Sequence, residues 1–292
     1  MKLRLYHVDA FTDFARGYRR RAKSGTRPHA LAGGRVTDEL FSGNPAGVVV
    51  LERWLPARLM QGIAAENNMS ETAFIVPGRK DYAIRWFTPA TEVDLCGHAT
   101  LASAHVLFNH LGHPSDRIAF RSRRSGILAA ERRGEKIVLD FPADKLRRAP
   151  TPPGLIKALG RRPVEVWRGK TDLLCLFRSQ RDIESMRPDF QRLAKVRARG
   201  MIVTAPGASV DFVSRFFGPA VGVPEDPVTG SAHTTLTVFW AQRLGKMEME
   251  AAQLSKRGGR LGCTLAGDRV KIAGRARTYL VGDIELDGEG VS

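Results

Sequence analysis

An internal duplication limits the architecture of this chain more than any other feature. Sliding the sequence along itself by 133 residues puts Gly97 on Gly230, Ala99 on Ala232 and Leu111-Gly112 on Leu244-Gly245. The same offset puts Ser122-Arg123-Arg124 on Ser255-Lys256-Arg257, Gly126 on Gly259, and Gly134-Glu135-Lys136-Ile137 on Gly267-Asp268-Arg269-Val270. Upstream, the run Arg85 to Ala90 matches Arg215 to Ala220 at an offset of 130, so the second copy carries three extra residues before its glycine. Solenoids repeat every 20–50 residues or so. A period this long is a whole domain fused to its own copy.

Each copy follows one plan. Strands come first: LRLYHVDAF and AGVVVLE in the first copy, VEVWRG and DLLCLF in the second. A helix is expected over Ala57 to Asn67, and its counterpart over Met186 to Arg197. An apolar strand follows (TAFIVP, GMIVTAP), then a strand carrying Arg-aromatic-Phe, then a second helix that starts at the repeated glycine. Ala99, Ala102, Val106 and Leu107 give one of these helices its apolar stripe; Ala232, Leu236, Phe239 and Trp240 give the other. Neither carries much charge before its end, and a helix apolar nearly all round is buried. A hairpin follows each. The expectation is an α+β chain of two pseudo-symmetric halves, each a curled mixed β-sheet or barrel around a central helix. The first half is expected over 1–142 and the second over 150–276, with Pro142, Pro150, Pro152 and Pro153 marking the join. TYLVGDIEL, in the tail 277–292, reads as one more strand.

The 46 basic and 30 acidic residues leave a net charge of +16, which raises nucleic acid as a partner. Seven of the basic residues lie between Phe14 and Val36, a stretch with no acid. The rest are spread along a chain rich in arginine rather than lysine. Charge is then the sole argument for nucleic acid, and none is expected as a partner. No apolar run approaches the roughly 20 residues of a membrane helix, and the opening MKLRLYHVDAF alternates like a strand rather than a signal peptide. A cytoplasmic enzyme is the expectation. Cys96, Cys175 and Cys263 show no C-x-x-C spacing and read as free thiols.

Two similar halves create a cleft, and such clefts are favoured ligand sites. The glycines that open the two buried helices, Gly97 and Gly230, either allow tight strand-to-helix turns or let a small anion approach free N–H groups. Around them lie DLCGHAT (Asp94 to Thr100) and EDPVTGSAH (Glu225 to His233), offering His98, Asp226 and Ser231. Each of these three is open to a plainer reading as a cap or turn residue, and Asp94 is read that way. Glu71 precedes an apolar strand, where a carboxylate serves either as general acid and base or as an ordinary loop residue. His98, His105, His110 and His113 do not share one short helical arc, so no metal is expected. No phosphate-binding loop, dinucleotide fingerprint or nucleophile elbow is present.

At these residues the chain resembles the PhzF-like family, named for a phenazine-biosynthesis isomerase. The matching text is YHVDAFTD (6–13), FSGNPAGVV (41–49), NNMSETAFI (67–75), RWFTPATEVDLCGHATLASA (85–104), DFVSRFFGP (211–219), EDPVTGSAH (225–233) and QLSKRGG (253–259). The resemblance implies a diaminopimelate epimerase-like fold, a C-terminal strand that returns to the first half, and a homodimer. It implies cofactor-free isomerisation, by proton movement, of a small cyclic carboxylic acid. Glu71 would be the catalytic acid/base, helped by His98 and Asp226, with Gly97, Gly230, Ser231 and Asn44 binding substrate. An amino-acid epimerase or racemase, or a non-catalytic binding protein of the same fold, are the alternatives. Diaminopimelate epimerase has a cysteine before each helix glycine; here those places hold Cys96 and Thr229, so a thiol pair is absent. Cys96 is then either a small buried residue or a one-sided base. The family pattern runs from YHVDAFTD straight into ELFSGNPAG, which makes residues 14–36 a basic insertion.

Overall fold

The computed structural model describes residues 1–12 and 41–286; the basic insertion 14–36 lies outside them. The first copy contains β1 (Lys2–Ala10), β2 (Asn44–Val50), α1 (Ala57–Asn67), β3 (Glu71–Pro77), β4 (Tyr82–Phe87), β5 (Glu92–Val93), α2 (Gly97–Asn109), β6 (Arg117–Ser122), β7 (Gly126–Arg133) and β8 (Lys136–Pro142). Then come β9 (Arg147–Arg148), α3 (Leu155–Leu159), β10 (Glu165–Arg168), β11 (Leu173–Leu176), α4 (Gln180–Glu184), α5 (Phe190–Leu193), β12 (Met201–Pro206) and β13 (Phe212–Gly218). The second copy continues with β14 (Val223–Asp226), α6 (Gly230–Leu244), β15 (Glu248–Gln253), β16 (Gly259–Ala266) and β17 (Arg269–Gly274), and β18 (Ala276–Glu285) follows.

The fold is α+β, and its strand pairing is a mirror. The antiparallel pair β8–β17 is the seam. Outward on the first side run β7, β6, β4, β3, β2, β1 and β18. Outward on the other run β16, β15, β13, β12, β11, β10 and β9. On both sides the pairings read antiparallel, antiparallel, parallel, antiparallel, parallel, antiparallel, antiparallel. Helix α2 touches β1, β2, β3 and β18 as well as β7 and β8, so the first sheet curls round it. Among the described residues, β18 pairs with β1 and with no other strand, so the curl stays open.

The two central helices are buried for a compositional reason. Ala99, Ala102, Ser103 and Ala104 give α2 a slim surface that strands can approach, and the Ser103 hydroxyl is satisfied by the Ala99 carbonyl at 2.7 Å. A fork of charge repeats with the fold. Arg85 donates Nε and Nη2 to Glu92, both at 2.7 Å, while Arg215 donates to Glu225 at 2.7 and 2.9 Å. Each guanidinium lies over the phenylalanine two residues further along its own strand, Phe87 or Phe217, at 5.1 and 4.9 Å.

Two expectations need correction. The helix expected over Met186 to Arg197 is only α5, with α4 placed earlier. Pro188 cannot donate a helical N–H and holds Arg187 extended, so Asp189 caps a new, short turn instead. Ser179 starts α4 through a capping box with Asp182. The single offset also slips locally. Register against β4 and β13 aligns Ser122 with Gln253, not with Ser255. The second copy therefore has two more residues in its β15–β16 turn than the first has between β6 and β7.

Candidate active site

The starts of α2 and α6 meet head to head. A Cβ built on Gly97 would lie 3.5 Å from the Gly230 Cα, and the converse distance is also 3.5 Å. Even a Cβ would be in van der Waals contact with the opposite backbone, which shows how near the two helix starts lie. Their free N–H groups and positive dipole ends converge on one region between the copies.

Glu71 opens β3, where the chain leaves α1 through Asn68 in the left-handed conformation, φ 48°. Its Oε2 lies 2.9 Å from Nε2 of His98, the second residue of α2. That oxygen is buried and has no aligned hydrogen-bond donor among the described residues, so the pair meets as charges off the N–H axis. The other ring nitrogen of His98 lies 3.1 Å from Asn44 Nδ2 and 3.5 Å from Cys96 Sγ. Asn44 bridges the copies. Its Nδ2 spends its two hydrogens on Asp226 Oδ1 at 2.8 Å and the Val228 carbonyl at 2.9 Å. Asp226 ends β14, and its second oxygen accepts from Thr229 Oγ1 at 2.5 Å.

Glu71, His98, Asn44 and Asp226 are thus one network, reached from β3, α2, β2 and β14. Ser231 stands apart from it: its Oγ accepts from Arg199 Nη2 at 3.0 Å. Asp94 is outside as well, exposed and paired with Arg124 at 2.5 Å. His105, His110 and His113 are drawn to other partners, the first two to Thr278 and the third to Tyr82.

Electrostatics divides the labour. Burial alone would lower the His98 pKa, but neighbouring negative charge outweighs it and holds the imidazole well above its ordinary value. Burial, then the Glu71 charge, pushes the Cys96 thiol up to about 11. Burial also pushes Cys175 and Cys263 up to about 12, and all three cysteines are free. Desolvation raises Asp226 to about 6, with the Glu71 charge adding; the His98 charge and the bonds from Thr229 and Asn44 oppose it. One ligand atom each from Glu71, Cys96 and His98 lies within 4.8 Å of the others, a spacing that would suit a metal ion. Binding one there must displace the thiol proton and the imidazole proton, both of which the site holds firmly.

Asp226 carries a stability test. Its folded pKa lies above the ordinary aspartate value, so its contribution is complete at low pH and is lost as pH rises through about 6. Asp226→Asn should therefore gain on the unaltered protein between pH 4 and 7.5, by on the order of 2 kcal/mol. Urea denaturation at both pH values reads the difference; a gap independent of pH would refute it.

Three residues of this region carry no motif that points to them. Gln253 donates to the Asp226 carbonyl at 2.7 Å and accepts from the Thr229 N–H at 2.9 Å, locking the α6 start. Arg199 and buried Asp172 form a fork beside Ser231. Gln253 lies inside QLSKRGG, but nothing local shows that its side chain turns toward residue 226.

The sequence model of the phenazine biosynthesis-like protein family matches residues 36–282. This chain belongs to the PhzF family. Its relatives include an uncharacterized isomerase of Pseudomonas aeruginosa, 53% identical over 84% of this chain and 94% of that protein. The human phenazine biosynthesis-like domain-containing protein is 41% identical over 85% of this chain and 96% of its own. Among solved structures, a PhzF-family protein of Enterococcus faecalis superposes with a TM-score of 0.86 at 42% identity, covering 98% of this chain and 100% of that one. A probable proline racemase from Agrobacterium radiobacter, 12% identical, shares the fold with a TM-score of 0.60, covering 98% and 93% of the two chains. The PhzF match begins at residue 36, where the basic insertion ends. No helix among the described residues is long and apolar enough to cross a membrane.

Proposed function

We propose that this PhzF-family chain is a cofactor-independent isomerase that moves a proton on a small cyclic carboxylic acid, with Glu71 as general acid and base. One observation carries the reading: the Glu71 carboxylate lies 2.9 Å from a buried imidazole, beside two converging helix starts. Glu71 takes a proton from carbon and returns it at another. His98, held protonated by its neighbours, steadies the carboxylate's charge and relays the proton. Negative charge developing on the substrate is stabilised by the N–H groups at Gly97 and Gly230. Asp226, its carboxyl raised to about 6 by burial, tunes the network through Asn44.

An epimerase of the two-base kind needs a second base on the opposite face of the substrate. The β3 and β12 registers put Gly200 where the second copy would carry the equivalent of Glu71. The Cys96 thiol, held up to about 11, is a poor candidate for that base. Proton return by one carboxylate is the mechanism these features favour. A homodimer belongs to the same reading and rests on the family resemblance.

The test is solvent exchange. In heavy water, the unaltered protein should place deuterium on carbon in at least one member of a panel of small cyclic acids, read by mass spectrometry. Excess EDTA should leave the rate unchanged. Ring acids that bind yet never exchange would favour the non-catalytic alternative, and loss of exchange in EDTA would call for a metal on Glu71, Cys96 and His98.

A further inference from the structure

The register of the sheets identifies which residues of the two copies correspond. Phe74 pairs with Arg85, and Val203 with Arg215. Arg85 and Arg215 are equivalent through their forks, so counting back along β3 and β12 aligns Glu71 with Gly200 and Ser70 with Arg199. Gly47 pairs with Thr72, and Leu173 with Met201, which aligns Ala46 with Asp172. At the helix starts, His98 aligns with Ser231. The first copy brings a carboxylate and an imidazole to its helix start. The second brings a guanidinium and a hydroxyl to the matching place.

Arg199 is held in position from several sides. Asp172, 2% exposed, accepts Arg199 Nε at 2.8 Å and also accepts Nη2. Phe216 lies beneath, with the guanidinium carbon 5.5 Å from the ring centroid. The ring reaches that place because residue 200 is glycine; a Cβ there would lie 2.2 Å from a Phe216 ring carbon. The group is nonetheless open to a ligand, its side chain being 37% exposed. Among the described residues Nη1 has no hydrogen-bond partner. Ser231 Oγ accepts from Nη2 at 3.0 Å, so its own hydrogen remains free to donate. Two unspent donors, one cationic and one polarised by a cation, stand at the start of α6.

We infer that Arg199, directly through Nη1 and indirectly through Ser231, selects the carboxylate of the substrate, opposite the proton-transferring Glu71. The inference rests on the reading above that the site takes a small acid, and it deepens it. The pseudo-symmetric cleft becomes chemically polar: base on one side, anion receptor on the other. A ring acid can then enter in one orientation only, its carboxylate at the second copy and its reacting carbon at the first. Arginine suits the task because a planar fork meets a carboxylate with two donors while Asp172 fixes its plane.

Benzoate and benzamide, matched in shape and differing in charge, test it by isothermal titration calorimetry. Arg199→Met is combined with Asp172→Asn, so that no buried carboxylate is left unpaired. The double variant should lose roughly tenfold or more of its benzoate affinity, with benzamide binding little changed. Arg199→Lys should keep part of the preference for benzoate, and Ser231→Ala, which leaves the Asp172 fork intact, should lose part of it. Titrations with and without Glu71→Gln keep the result independent of turnover: surviving exchange in Glu71→Gln would sink the acid/base role but leave this comparison intact. A preference for benzoate that survives Arg199→Met/Asp172→Asn overturns the inference, as does an unaltered protein that does not prefer benzoate.

Discussion

Glu71→Gln should stop carbon-bound deuterium uptake, lowering exchange by roughly 10²–10⁴-fold, while the protein stays folded. Glutamine keeps the shape of the side chain and its contact with His98 but cannot accept a proton from carbon. Glu71 is only partly buried at the first position of β3, so its replacement removes chemistry rather than packing. A second readout ties the loss to the network. Without the Glu71 charge, one of the neighbouring influences that raise the His98 pKa is gone, so burial pulls it lower than in the unaltered protein. An NMR titration of the imidazole should show that fall in Glu71→Gln and not in a remote control such as Glu66→Gln. Exchange at the unaltered rate in Glu71→Gln would end the acid/base assignment, whatever the imidazole does.

The largest loss of stability is expected from Arg257→Ala, about 3–5 kcal/mol. Asp9 sits in β1 at 2% exposure, and Arg257 answers it through Nη2 at 2.7 Å. The same guanidinium donates to the Gly43 carbonyl at 2.8 Å and the Ser42 carbonyl at 3.2 Å. One side chain from the second copy thereby fastens β1 and the turn that delivers Asn44. His7, 3.9 Å from Asp9, is a poor substitute, because burial is the largest influence on its ring and lowers the His7 pKa. Burial already raises the Asp9 pKa, and losing Arg257 raises it further. A raised carboxyl stabilises the fold fully below its unfolded pKa and loses that contribution as pH rises. The deficit of Arg257→Ala should therefore be greatest near neutral pH and shrink toward pH 4. Adding Asp9→Asn, which removes the unanswered charge, should restore part of the stability. Urea midpoints across that range measure both effects, and a deficit unchanged by pH or by Asp9→Asn would show that Arg257 does not act by answering Asp9.

Much of the architecture was legible because local signals agree with one another. The repeated glycines, the charge-poor helices and the Arg-aromatic-Phe strands fall in the same order in both copies. Hydrophobic periodicity therefore located α2, α6 and most strands. It failed over Met186 to Arg197, where Pro188 outweighs the apolar pattern. Sequence text also pointed to Glu71, His98, Asn44 and Asp226 as separate candidates from four separate motifs.

Their union belongs to the tertiary structure. Asn44 reaches both His98 and Asp226 because the α2 and α6 starts lie against each other, although residues 44 and 226 are remote along the chain. The same holds for Arg199 and Asp172, which sit in text with no distinguishing pattern, and for Gln253, whose place in QLSKRGG does not say where its side chain turns. The duplication, by itself, determines that there are two matching sheets and two buried helices, since each of these follows from local propensity repeated in order. Which residue of one copy faces which residue of the other is a matter of strand register and helix approach. Packing decides those across the fold, and by that route a symmetric frame acquires a carboxylate beside the start of one central helix and a guanidinium beside the start of the other.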